Sequence, residues 1–270
     1  MVPLNYLAGL ICLSSAVLSF SMDKAIPSMQ STTASQPQHF KDVKAIIFDV
    51  DGTLADSGKL GFDATQEILK RHGVPEITYE IYCDHTRYTT PDRLARHCGL
   101  QPDDKDFDRI GRELGAEFDD LYIDLVNLET AAFYPGMLDL VRNIPDGVAV
   151  GALTNAANLY AHAVLRTNDD TGAPWLYERF GSILGADNVP RPKPYKDGLL
   201  QALSEMKIPL TECSEVVYIG DSPSDGMAAQ AAGMKSVGVT WGAHQEEKLK
   251  THFSHICSAV AELRDLLPSK

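Results

Sequence analysis

Two carboxylates, Asp49 and Asp51, stand two positions apart at the end of the apolar run Ala45-Ile46-Ile47-Phe48, just ahead of Gly52-Thr53. Burying carboxylates inside such a run is costly, so both belong at its C-terminal mouth, where open α/β sheets bind ligands. A second pair, Asp221 and Asp225, stands four apart after the strand-like Glu215-Val216-Val217-Tyr218-Ile219 and Gly220. Carboxylates gathered at a strand mouth suit a hard magnesium ion. Thr154-Asn155 ends the apolar run Val148 to Leu153, and its hydroxyl and amide can donate hydrogen bonds to phosphate oxygens without adding charge. Lys193 lies between Pro192 and Pro194, in an extended loop rather than on a helix surface. A fixed ammonium there offsets the repulsion between acidic residues and an incoming phosphate. Singly, each signal has an ordinary counterpart. Asp-x-Asp-Gly and Thr-Asn are common turns, a lysine between prolines suits a surface loop, and Asp225 suits the N-cap of a helix over Met227 to Ala232.

The elements that must position these groups read as short buried strands. Ala45 to Phe48 is apolar on both faces, as in a parallel sheet covered by helices, and Val148 to Leu153, Ser182 to Gly185, Glu215 to Ile219 and Lys235 to Val239 continue the pattern. From Asp56 to about Phe133 the pattern turns helical. Leu60, Ala64 and Ile68 fall at four-residue steps before Gly73, and Thr90-Pro91 predicts a helix start, with Thr90 as N-cap, closed by Gly99. Phe107, Ile110, Leu114, Phe118, Leu121 and Leu125 form a long stripe despite Gly111 and Gly115. Tyr134-Pro135-Gly136 marks the return to the main domain. Arg87, Arg93, Arg96 and His97 of this insertion either reach over the site toward an anionic group or lie on solvated helix faces.

The chain has 270 residues, enough for one domain and a smaller insertion, with a formal net charge of −13 that argues against a nucleic-acid partner. The five cysteines are widely spaced with no C-x-x-C, so neither a zinc site nor a disulfide framework is indicated. Met1 to Met22 carries no charged side chain and has a mostly apolar core. With the Ser-, Thr-, Gln- and Pro-rich stretch to His39, it predicts a targeting leader and spacer over residues 1–40 that address the secretory pathway or an organelle, and no membrane segment in the mature protein. The alternative is an N-terminal extension on a cytoplasmic protein.

In this order, Asp49-Val50-Asp51-Gly52-Thr53, Leu153-Thr154-Asn155, Lys193-Pro194 and Gly220-Asp221-Ser222 through Asp225 resemble the haloacid dehalogenase-like hydrolase superfamily, over Lys44 to about Gly242. The resemblance implies an α/β fold: a Rossmann-like core with a central parallel sheet over residues 41–56 and 134–270, and a small helical cap over 57–133. It also implies a Mg²⁺-dependent phosphatase acting on a small phosphorylated metabolite, such as phosphoglycolate or a sugar phosphate, through an aspartyl-phosphate intermediate. Asp49 corresponds to the nucleophile and Asp51 to the general acid and base. Asp49, Asp51 (through its backbone carbonyl), Asp221 and Asp225 correspond to the metal site, and Thr154, Asn155 and Lys193 to the phosphate site. Mutases of the superfamily carry a His in the first cap helix, whereas Lys59-Leu60-Gly61-Phe62 has none. Dehalogenases lack the second Asp, so Asp51 argues against carbon–halogen chemistry. A phosphosugar mutase and a catalytically silent phospho-ligand binding module are the alternatives.

Overall fold

The computed structural model describes residue 40 and residues 42–169 and 175–270, so the leader and spacer expected over 1–40 lie almost wholly outside the described residues. Strand β1 (Ala45–Phe48) is fully buried at all four positions. It lies between β2 (Ala149–Leu153) and β4 (Val216–Gly220), pairing in parallel with both. β3 (Phe180–Leu184) flanks β2, while β5 (Lys235–Val239) and β6 (His255–Cys257) extend the other side, giving a parallel sheet of order β3-β2-β1-β4-β5-β6. The chain runs outward from β1 to β3, then crosses back to β4 beside β1. That reversal opens a crevice at the carboxyl ends of β1 and β4.

Each strand-mouth residue of the sequence pattern lies at this edge of the sheet. Asp49 directly follows β1 and donates its backbone N–H to Ile219 O at 2.8 Å, which extends the β1–β4 register. The amides of Thr53, Leu54 and Ala55 all turn back on Val50 O, so the chain folds over itself immediately after Asp51. Gly52 has φ +70°, which favours glycine, and a Cβ there would lie 2.3 Å from Asp221 Oδ2. β6 has no counterpart in the sequence reading. It is a three-residue edge strand, too short to show any periodicity.

Four helices separate β1 from the return: α1 (Gly58–Arg71), α2 (Tyr79–His85), α3 (Thr90–His97) and α4 (Phe107–Asp124). The segments entering and leaving them are paired, with Asp56 N bonding Ala132 O at 2.8 Å and Tyr134 N bonding Leu54 O at 2.9 Å. α3 starts one residue earlier than the sequence suggests, because Thr89, in extended conformation, occupies the N-cap position and Thr90 is already helical. The apolar stripe of α4 is also shifted. Phe107, Gly111, Leu114, Gly115, Phe118 and Tyr122 are its buried positions, and Leu125 lies past its end and is exposed. Gly111 and Gly115 are contact points rather than interruptions. A Cβ on Gly111 would come within 2.6 Å of Pro91 O, so the glycines let α3 and α4 approach closely.

The remaining helices cover the sheet: α5 (Met137–Asn143), α6 (Asn158–Thr167), α7 (Trp175–Arg179), α8 (Asp197–Glu205), α9 (Pro223–Ala232), α10 (Glu246–Leu249) and α11 (Val260–Leu266). Cys83, Cys98, Cys213 and Cys257 are free. No helix of the described residues is long and apolar enough to cross a membrane.

Candidate active site

Lys193 is the hub of the strand-mouth cluster. Its side chain is 3% exposed, and Nζ donates to Asp49 Oδ1 and Asp225 Oδ1, each at 2.7 Å, and to Leu153 O at 3.3 Å. The loop carrying it is clasped by Asn155, which accepts from Lys193 N at 3.0 Å and donates to Lys193 O at 3.1 Å and Arg87 O at 3.4 Å. Both ends of the Asn155 amide are therefore committed to backbone. The sequence suggests phosphate as that side chain's partner; in the structure its amide clasps the loop that carries Lys193.

Asp49, Asp221 and Asp225 each offer a carboxylate oxygen, and the three oxygens lie within 4.8 Å of one another. One ammonium does not balance three carboxylates at this distance. Burial pushes the Asp49 carboxyl well above its usual range; Lys193 opposes that shift, while Asp225, Asp221 and Asp51 add to it. Asp221 is raised to about 7, again by burial first and then by Asp225. On Lys193, burial alone would lower the ammonium, but Asp225 and Asp49 overcome it and the net shift is upward. The pocket thus favours added positive charge. An all-oxygen donor set suits a hard cation such as Mg²⁺ over the thiolate- and imidazole-seeking metals.

The three carboxylates are not equivalent. Asp225 has no exposed surface, and its oxygens already accept from Lys193, from Tyr218 OH at 2.8 Å and from Ser222 N at 3.0 Å. It braces the lysine and closes a capping box with Ser222, which is the N-cap of α9 in place of Asp225 itself. Asp221 keeps more acceptor capacity free, since Oδ2 accepts only Ala243 N at 2.6 Å. A Cβ on Gly242 would fall 2.2 Å from that oxygen, so Gly52 and Gly242 together form a narrow slot around Asp221.

Asp51 stands apart from this triad. Its Oδ1 accepts from Ser57 Oγ at 2.6 Å, Tyr122 OH at 2.8 Å and Tyr160 OH at 2.6 Å, while Oδ2 accepts only from Thr154 Oγ1 at 3.1 Å. Oδ1 is thereby saturated, while Oδ2 keeps acceptor capacity. Tyr122 comes from α4 and Tyr160 from α6, and their rings stack at 4.0 Å between centroids. Neither tyrosine figures in the sequence reading. They lie 71 and 109 residues from Asp51, and nothing local marks them.

These groups face a cavity of about 160 Å³. Asp49, Asp51, Thr154, Lys193 and Asp221 line its floor; Tyr79, Tyr82, Thr86, Tyr88, Arg93 and Phe118 of the helical segment line its roof. Ligand pockets usually measure about 300–1,000 Å³, so this one suits a small molecule.

Comparison with known proteins agrees with this architecture. The family profile of haloacid dehalogenase-like hydrolases matches residues 46–239. A phosphoglycolate phosphatase of Yersinia pseudotuberculosis is 28% identical over 233 residues, covering 85% of this chain and 94% of the relative. The crystal structure of CbbY from Rhodobacter sphaeroides in complex with xylulose-(1,5)bisphosphate is 27% identical with a TM-score of 0.63, covering 82% of this chain and 96% of that one. A haloacid dehalogenase-like hydrolase from Bacteroides fragilis is 25% identical with a TM-score of 0.68, covering 82% and 99%.

Proposed function

Because the chain belongs to the haloacid dehalogenase-like hydrolases and is a phosphate monoester hydrolase of phosphoglycolate phosphatase-like type, we propose that it is Mg²⁺-dependent and acts through an aspartyl-phosphate intermediate. Its substrate is a small phosphorylated metabolite of the phosphoglycolate or sugar phosphate class. The observation that carries this reading is the Lys193 ammonium, 2.7 Å from Asp49 and from Asp225, within a carboxylate cluster that opens on a small cavity.

Mg²⁺ would be held by Asp49, Asp221 and the backbone carbonyl of Asp51, with Asp225 behind them, and would supply charge neutralisation and a template for the phosphoryl oxygens. An Asp49 oxygen attacks phosphorus, and the ester P–O bond breaks with its electron pair passing to the leaving oxygen. Asp51 gives that oxygen a proton, then takes one from the water that attacks the acyl phosphate and regenerates Asp49. Lys193 and Thr154 receive the equatorial oxygens, whose charge is greatest as the phosphoryl group transfers. Residues 57–133 act as a cap over a core formed by 41–56 and 134–270; the hinge is the paired segment around Asp56–Ala132 and Leu54–Tyr134.

The test is phosphate release from an aryl phosphate, with magnesium present and then removed by a chelator. Activity that appears only with magnesium supports the reading, and equal rates without it refute it.

A second expectation concerns the tyrosines on Asp51. Tyr160→Phe keeps the ring stack but removes one donor from Oδ1. Turnover of an alkyl phosphate, whose leaving group needs a proton, is expected to fall about tenfold or more, and that of an activated aryl phosphate by less than about threefold. Equal losses on the two substrates would assign Tyr160 a merely structural role.

A further inference from the structure

Arg93 holds a buried guanidinium in the roof of the active-site cavity, and no carboxylate of the described residues pairs with it. By contrast, Arg71 pairs with Glu67, Arg87 with Asp84 and Arg109 with Asp106 and Glu113. Arg93 is instead clamped between two rings, its guanidinium carbon 5.1 Å from the Tyr82 centroid and 4.8 Å from that of Phe118. Arg96 is likewise stacked between two rings, Tyr88 at 4.1 Å and Phe107 at 5.6 Å, but it does not line this cavity. Stacking orients the Arg93 guanidinium and only partly replaces its lost hydration; Tyr82 takes one hydrogen bond from it, and its other N–H donors remain for an anion. Asp119 on α4 feels the charge of Arg93, but the two form no ion pair; burial raises the Asp119 carboxyl to about 7, and it lines a separate cavity beside Asn155 and Asp187.

Arg93 and Lys193 are the only cationic side chains lining the active-site cavity among the described residues. Lys193 belongs to the phosphoryl end. We propose that Arg93 is the subsite for a carboxylate on the leaving group, so that the preferred substrate is the phosphate ester of a short hydroxy acid rather than of a neutral polyol. A planar carboxylate matches the fork of a guanidinium held flat between rings. The proposal rests on the phosphatase reading above and adds to it the substrate class and the residue that selects it.

The experiment compares kcat/KM with magnesium for 2-phosphoglycolate, ethyl phosphate, which lacks the carboxylate, a sugar bisphosphate and an aryl phosphate. These are measured in the wild type, Arg93→Lys and Arg93→Met. The wild type is expected to prefer phosphoglycolate over ethyl phosphate by about tenfold to a hundredfold, as a charge-assisted hydrogen-bonded pair contributes. In Arg93→Met that ratio collapses toward unity, mainly through KM, and Arg93→Lys retains part of it. Should Arg93→Met fail to fold, the wild-type ratio and competitive inhibition by glycolate decide alone. Aryl phosphate hydrolysis without preference for the acid, a preference that survives Arg93→Met, or a stronger preference for a sugar bisphosphate each overturns the proposal. Failure to hydrolyse any of the esters would instead overturn the phosphatase reading.

Discussion

Asp49→Asn is expected to abolish hydrolysis of an aryl phosphate, with a loss of about 10⁴-fold or more, while the protein stays folded. An amide fills the same volume but has no anionic oxygen to attack phosphorus, and no neighbouring group can take over that role. The fold should tolerate the change because ionised Asp49 is not a stabilising element of the metal-free protein. Its carboxyl is pushed up by burial and by the charges of Asp225, Asp221 and Asp51, with only Lys193 opposing. Removing that charge relieves repulsion and leaves Lys193 paired with Asp225. The thermal midpoint without magnesium is therefore expected to equal or exceed that of the wild type. Phosphate release and thermal unfolding check both halves, and full activity in the variant would remove Asp49 from the chemistry.

Lys193→Met is expected to act on stability and activity together. Among the described residues the ammonium is the one cation between Asp49 and Asp225, and Tyr218 OH and Ser222 N cannot replace its charge. Breaking a buried pair from one side costs about 3–5 kcal/mol, because the remaining charges stay buried without a partner. Here magnesium should return part of the loss, since a cation at Asp49 and Asp221 relieves the same repulsion. Denaturant unfolding with and without magnesium is expected to show a larger metal-induced stabilisation in the variant than in the wild type. Activity should stay low in both conditions, because the phosphoryl oxygens have lost a fixed positive partner. Equal stabilisation by magnesium in both proteins would mean that Lys193 and the metal site are not electrostatically linked.

What the sequence made legible follows from local physics. A run such as Ala45 to Phe48 reads as a covered strand and carboxylates after it belong at its mouth, and Asp49 and Asp51 do follow β1 as Asp221 follows β4, all three lining the cavity. Pro192 and Pro194 kept Lys193 off a helix, and it lies in a loop that reaches the cluster. The destinations of side chains were not legible where they depend on tertiary contacts. Asn155 has the right chemistry for phosphate, yet the backbone of Lys193, 38 residues away, takes both ends of its amide. Tyr122 and Tyr160 do not stand out in the sequence and Tyr218 shows only as a strand residue, because a hydroxyl aimed at a distant carboxylate leaves no periodic trace. Gly111 and Gly115 read as flaws in a helix because the partner they accommodate, Pro91, lies on another helix.

The most direct measurement is peptide mapping by mass spectrometry of Asp51→Asn enzyme, acid-quenched soon after mixing with magnesium and an aryl phosphate. That leaving group needs no proton, so the first transfer proceeds, while the second lacks its base and the acyl phosphate accumulates. The expected result is one phosphoryl group on Asp49 itself. Phosphate released with Asp49 never modified, or a phosphoryl group found on another residue, would contradict the assignment of Asp49 as the nucleophile.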